Sequence, residues 1–340
     1  MKNVLITGAG SPGGPGIIKA VNQKYCIHGA DADAKATGKG LCAFFHCIPK
    51  AQDKMFIPTI LNIVKDHNID LIIPLVTKEL EYFSSHIVDF ENLDCHVVVN
   101  SIENLNICND KNLLLQKISE AQLLTPKFTA VTTSSDLTAA AASLNYPKDT
   151  ICIKPSQSNG MRGFRILDNS VNKAELFWNE KPNNTYSTLP DLIETLGDTF
   201  REILVMEYLP GDEYTIDCIA HKGKAILILP RKRIKMNNGI SIRGKFVNHK
   251  EIIDYCEKII SLFQLHGPVG IQLREDRNGI PKMLEINPRL QGTTVATEGL
   301  GINIPELIIN QALGNEPVVD TNSIPWGREF GRYYTEIFWD

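Results

Sequence analysis

The first 107 residues constrain the fold most, because short apolar runs alternate there with helical stretches. NVLIT, YCIHGAD, IDLIIPL and CHVVVN read as strands, and PGIIKAVNQ and IPTILNIVKDH, which lie between them, as helices. Strands separated in this way by helices belong in a parallel sheet covered on both faces. The expectation is a Rossmann-like layer. Its first turn, Gly8-Ala-Gly10-Ser-Pro-Gly13, fits the pattern G-x-G-x-x-G, and Asp31 and Asp33 follow at a spacing suited to a ribose contact. Pro12 and Pro15 restrict the loop and remove amide donors that a pyrophosphate would use. Room for tight helix–strand packing is therefore the preferred reading of these glycines; a nicotinamide site and contact with an acceptor substrate are the alternatives.

The character changes near residue 108. Asn109-Asp110 offers a helix cap before KNLLLQKISEAQ, and residues 126–206 read as the strand KFTAV, the helix DLTAAAASL and the strands TICIKPS, GFRIL and ILVMEYL. The polar stretch NEKPNNTYSTLPD is expected on the surface. Further on, VGIQLRE and KMLEINP flank Asp276, Asn278 and Gly279 and read as a β-hairpin. With Asn278 and Gly279 as the two central turn residues, Gln272 stands opposite Glu285, unless Pro281 adds a bulge. Glu285 and Asn287 share one face by alternation. Three oxygen-bearing side chains suit magnesium, which takes few protein groups beside substrate phosphates; a solvated hairpin face is the alternative.

Three more fragments carry chemistry. Lys154 ends the apolar strand TICIKPS, and Ser158, Asn159, Gly160 and Gly163 follow in a small-residue loop that can close over phosphates, or else form a plain turn. In MEYLPGDE, Pro210-Gly211 breaks a strand, so the backbone of Glu207, Tyr208 and Leu209 can meet a flat base and Glu213 a ribose. The run Arg231, Lys232, Arg233, Lys235, with Arg243 beyond it, can receive an anionic substrate or form a solvated basic face. The tail WGREFGRYYTEIFWD reads as a terminal strand packed on the core, with Arg328 and Arg332 as further contacts.

Composition narrows the function classes. A chain of 340 residues predicts two or three packed units, and a formal charge of -4 lacks the basic excess of a nucleic-acid binder. No run reaches the length of a membrane span, and MKNVLITGAG carries no signal-peptide pattern, so a cytoplasmic location is expected. Eight dispersed cysteines without a C-x-x-C pair read as reduced, mostly buried thiols, and the histidines show no metal-ligand spacing.

In order and spacing these fragments resemble the ATP-grasp superfamily, in particular short relatives of the carbamoyl-phosphate synthetase large chain. The resemblance covers nearly the whole chain and implies a mixed α/β and α+β fold. A Rossmann-like pre-ATP-grasp domain (1–107) would precede a lid subdomain (108–206) and a C-terminal subdomain with the metal site (207–340). It implies Lys111 and Lys154 as phosphate contacts, Ser158 to Gly163 as the closing loop, Glu207, Tyr208 and Leu209 as the adenine hinge, and Glu213 on ribose. Gln272, Glu285 and Asn287 would hold one or two magnesium ions, with manganese able to substitute, and Arg289 would stabilise the transferred phosphate. Gln272 replaces an acid found in many members but agrees with the carbamoyl-phosphate synthetase pattern. Arg231, Arg233 and Arg243 remain candidates for the substrate.

The chemistry implied is an ADP-forming ligation: ATP turns a carboxylate into an acylphosphate, and an amine, an amino acid among the options, expels phosphate. No protein nucleophile is needed, since positioning and charge stabilisation suffice. A small synthase acting on carbamate or bicarbonate and a nicotinamide oxidoreductase using Gly8, Gly10 and Gly13 are the rival readings. The expected partners are small-molecule carboxylates and amines, with neither nucleic acid nor membrane; a homodimer is an open option carried by the resemblance.

Overall fold

The computed structural model describes residues 1–158, 160–179, 185–237 and 239–338. The chain begins with β1 (Asn3–Thr7), α1 (Gly14–Val21), β2 (Cys26–Asp31), β3 (Phe44–Cys47), α2 (Phe56–His67), β4 (Leu71–Pro74), α3 (Thr77–Ser85), α4 (Ile87–Glu91), β5 (His96–Val97) and α5 (Ile102–Asn109). Next come α6 (Lys111–Glu120), β6 (Phe128–Thr133), α7 (Ser134–Ser143), β7 (Ile151–Pro155), β8 (Arg165–Leu167), α8 (Lys173–Asn179), β9 (Tyr186–Ser187), α9 (Leu189–Leu196) and β10 (Thr199–Glu207). The last stretch holds β11 (Glu213–His221), β12 (Lys224–Asn237), β13 (Ile240–Phe246), α10 (Lys250–Leu262), β14 (Gly267–Glu275), β15 (Pro281–Asn287), α11 (Ile304–Ala312) and β16 (Glu329–Gly331).

These elements divide into two compact units. The first comprises residues 1–108, 214–272 and 286–340, the second residues 109–213 and 273–285. In the first unit five parallel strands run in the order β3-β2-β1-β4-β5. The apolar strands NVLIT and LIIP are buried along nearly their whole length, as the sequence pattern requires of a sheet covered on both faces. Pro15 pre-sets the first turn of α1, which buries Ile17, Ile18 and Val21. A core cluster joins Val4, Ile6, Ile17, Ile18 and Ile73 to Ile219, Leu227, Leu229 and Ile308. The fold class is the expected mixed one: a parallel α/β layer at the N-terminus and largely antiparallel pairing beyond it.

The second unit builds the mixed sheet β6-β10-β7-β8-β9, and its core gathers Val131, Leu137, Ile151, Ile153, Leu167, Ile203 and Val205. Asp110 caps α6 by accepting from the Leu113 amide at 3.0 Å, as the sequence suggests. The stretch expected to be merely polar surface also contains β9 and the capping box that starts α9, with Thr188 and Asp191 as its two members. A third sheet runs β15-β14-β11-β12-β13-β16.

Two local expectations are corrected. The hairpin between β14 and β15 closes at Asp276, whose amide donates to the Ile280 carbonyl at 2.9 Å, so its loop is Arg277-Asn278-Gly279 and not Asn278-Gly279 alone. The Asp276 carboxylate accepts from the Asn278 and Ile280 amides at 2.8 and 3.1 Å, and Gly279 supplies the left-handed residue at φ 76°. An aspartate able to cap the turn shifted the closing pair by one. The tail is the second correction: β16 keeps three residues on β13, and Tyr333, Tyr334 and Phe338 are exposed. One further rung, from the Arg332 amide to the Ile242 carbonyl at 2.8 Å, follows these pairs.

Candidate functional site

In the second unit Lys111 is the first residue of α6 and is only 6% exposed. Its amide donates to the Ser156 carbonyl and its Nζ to the Ser158 carbonyl at 2.7 Å, so the lysine ties the helix start to the loop after β7. Burial pushes its proton affinity down; Glu285 pushes it up, and Lys154 pushes down again. Lys111, Lys154 and Glu285, spread over 174 positions of sequence, therefore share one electrostatic neighbourhood. Lys154 also lies 5.8 Å from the centre of the Phe164 ring. The loop backbone is left-handed at Gly160 (φ 66°) and Gly163 (φ 75°), and a Cβ on Gly163 would come within 2.5 Å of Pro155. Asn159 lies outside the described residues.

Where β10 ends, the Glu207 carboxylate accepts from Lys282 at 2.6 Å and from the Lys127 amide at 2.9 Å. The Leu209 side chain is buried, and the Tyr208 ring lies 5.3 Å from the Arg274 guanidinium. Arg274 reaches the Gly211 carbonyl at 3.2 Å and Glu213 at 3.8 Å. Gly211 has no room for a Cβ, which would meet Glu275 at 2.6 Å. Lys282 and Arg274 thus hold the two acids of the segment MEYLPGDE. Neither was singled out from sequence, and no local pattern pairs them with these acids.

The first unit holds the other candidates. Gln272 accepts from Arg233 at 3.3 Å, and Arg233 also bonds Ser241 and the Gly239 carbonyl. Asn287 accepts from Arg289 at 3.4 Å, while Arg289 donates to Thr77 at 2.9 Å. The basic run is split by the structure. Arg231 is buried against Asp217 at 2.6 Å and Arg233 is half-buried, whereas Arg243 lies at the surface beside Glu329. Lys235, paired with Arg243, is exposed, so a solvated basic face is confined to that end of the run. At the glycine loop, Asp31 accepts from the Gly10 amide at 2.8 Å and from the Asp33 amide, and a Cβ on Gly13 would come within 2.7 Å of Gly292. Sequence reasoning missed Glu79, which is buried and accepts from Thr7 at 2.5 Å. Burial pushes its carboxyl up to about 7, against the Thr7 hydroxyl and with help from Asp31.

Comparison with known proteins bears on this arrangement. Residues 199–327 match a family model described as ATP-grasp in the biosynthetic pathway with Ter operon. The chain has the ATP-grasp fold. Residues 4–98 of this ATP-grasp chain match the PylC-like N-terminal domain. A curated relative, the carbamoyl phosphate synthase arginine-specific large chain of Bacillus subtilis, is 23% identical over 263 residues, 72% of this chain. The chain spans 22% of that relative's length. Among solved structures, a biotin carboxylase complex from Campylobacter jejuni superposes with a TM-score of 0.69 at 17% identity, covering 96% of this chain and 74% of the other. An L-amino acid ligase from Bacillus licheniformis gives 0.65 at 18% identity, covering 92% and 74%.

All eight cysteines of the ATP-grasp chain are free, five of them buried, as expected of reduced thiols. Among the described residues no group of three His, Cys, Asp or Glu side chains gathers to hold a metal, and no helix is long and apolar enough to cross a membrane.

Proposed function

We propose that this chain is an ATP-dependent, ADP-forming ligase that activates a carboxylate as an acylphosphate and joins it to an amine. The gathering of Lys111, Lys154 and Glu285 in one neighbourhood carries this reading, because two cations and a carboxylate together suit a polyphosphate and its metal. Lys111 fastens the Ser158 loop, so phosphate binding and loop position are tied through one side chain. The Glu207 carboxylate is engaged by Lys282; the backbone of the Glu207–Leu209 segment is assigned to the base, and Glu213, beside Arg274, to the ribose. Gln272, Glu285 and Asn287 offer oxygen donors only, which fits magnesium. When bound, that ion neutralises charge on the phosphates. Arg289, held by Thr77 and Asn287, is positioned to stabilise the transferred phosphoryl group. The division into residues 1–107, 108–206 and 207–340 belongs to the same proposal, as do a cytoplasmic location and a homodimer.

A second reading, a synthase acting on carbamate or bicarbonate, is favoured by Gln272 and by the carbamoyl phosphate synthase relative. A nicotinamide enzyme is disfavoured, since Asp31 is occupied by loop amides. The test is ADP release from Mg-ATP with pooled carboxylates and amines, beside a Glu285→Gln control. Acceptor-dependent ADP that vanishes in the control supports the ligase, and ADP release driven by bicarbonate alone supports the second reading. A protein that binds no ATP overturns both.

A further inference from the structure

Among the described residues Arg231 is the largest fully buried side chain, at 1% exposure. Two of its three guanidinium nitrogens are held. Nε donates to Asp217 at 2.6 Å and Nη1 to Thr293 at 2.9 Å. Asp217 is itself fixed by Thr294 at 2.7 Å and by Gln291, so the arginine cannot swing. Nη2 is buried with no hydrogen-bond partner among the described residues. A buried donor left unpaired costs about 1–3 kcal/mol and more when charged, so a fold that retains one invites an acceptor from outside the chain.

Other groups of the first unit converge on the same place. Arg332 is exposed overall; partial desolvation lowers its proton affinity, Tyr334 raises it, and the like charge of Arg231 lowers it again, so the two guanidiniums sense one another. It donates to the Pro12 carbonyl at 3.0 Å, and among the described residues no carboxylate lies within ion-pair distance of it. Gly13, beside Pro12, packs against Gly292, the neighbour of Thr293. The glycine loop, Thr293 and the two arginines thus form one cluster with an unbalanced positive charge. Phe330 lies 5.7 Å from the Arg231 guanidinium. Along β12, Arg231 and Arg233 share a face at about 7 Å separation, and Arg233 touches Gln272. Arg233 thus links the strand that carries Arg231 to a proposed metal ligand.

We propose that Arg231 and Arg332 form a carboxylate receptor for the acceptor, which makes the acceptor an amino acid whose own carboxylate is held here while its amine reacts. This rests on the ligase reading and adds the chemical class of the amine. The acceptor carboxylate accepts from Nη2 of Arg231 and from Arg332, and the Pro12–Gly13 loop closes beside it.

Calorimetric titration of the Mg-ADP-loaded protein with the standard L-amino acids, each paired with its α-carboxamide, tests it. At least one amino acid is expected to bind, and its amide to bind about tenfold more weakly or worse. Arg231→Lys keeps a cation beside Asp217 but loses Nη2, and Arg332→Gln loses the second charge. Each is expected to bring amino-acid affinity down toward that of the amide with Mg-ADP affinity unchanged. Thermal melts establish that both variants fold, and if Arg231→Lys does not, Arg332→Gln alone decides. Amides that bind as well as the acids, an Arg332→Gln variant with full affinity, or a protein that binds Mg-ADP but no amino acid each overturn the receptor. A protein that fails to bind Mg-ADP overturns the ligase reading beneath it.

Discussion

Glu79 illustrates what a single buried carboxyl does to a fold. In the native state it keeps its proton up to about 7, against 4.5 for the ordinary side chain, chiefly because burial penalises the charge. Between those values the folded chain binds a proton that the unfolded chain has released, so stability falls as pH rises through this window. Glu79→Gln is expected to remove that slope and to raise stability near pH 8 by about 1–3 kcal/mol, measured by urea unfolding at several pH values. A slope unchanged by the substitution would mean that the carboxylate ionises freely in place. Such a residue is invisible in the run VTKELEYF, where Glu79 and Glu81 look alike: only the approach of Thr7 separates them. The partners of Glu207 and Glu213 were hidden for the same reason. The hinge segment was readable from Pro210-Gly211, but nothing in its pattern points to Lys282, 75 residues on.

At the scale of elements, the turn from β1 into α1 was read as room for packing, and its glycines are used in that way. Gly13→Ala would place a methyl group 2.7 Å from the Gly292 Cα. Backbone-to-backbone contact cannot relax by a rotamer change, so a loss of about 1–3 kcal/mol is expected in a thermal melt; a neutral outcome would show that the loop shifts freely. The hairpin shows the opposite balance. Asn-Gly marked the turn correctly, yet Asp276 bonded two amides of the loop and moved the closing pair, an effect that a dipeptide rule does not weigh. Residues 329–338 show how far aromatic content misleads. A strand needs a partner edge, and β13 supplies only three register positions to β16.

For the whole molecule, the proposed function links nucleotide binding to folding. A ligand that binds only the native state raises its stability by about 2.7 kcal/mol at a hundredfold excess over its dissociation constant. Mg-ATP is therefore expected to raise the melting temperature, and Glu285→Gln to lose most of that shift. An equal shift in both proteins would remove Glu285 from the nucleotide site. The order of motifs allowed the fold class to be read over nearly the whole chain, since strand–helix alternation and turn residues act over a few neighbours. The compact units, by contrast, are built from separated stretches, three in the first and two in the second. By itself the sequence determined the parallel layer and most of the later strands and helices, and it marked the fragments proposed to carry the ligase chemistry, because hydrophobic period and capping are local. Tertiary structure alone decided that Arg231 meets Asp217 and Thr293, that Lys111 holds the Ser158 loop and that Glu79 is buried beside Thr7. Charge pairing depends on distance in space, and residues 14 to 72 positions apart acquire that distance only when the sheets form.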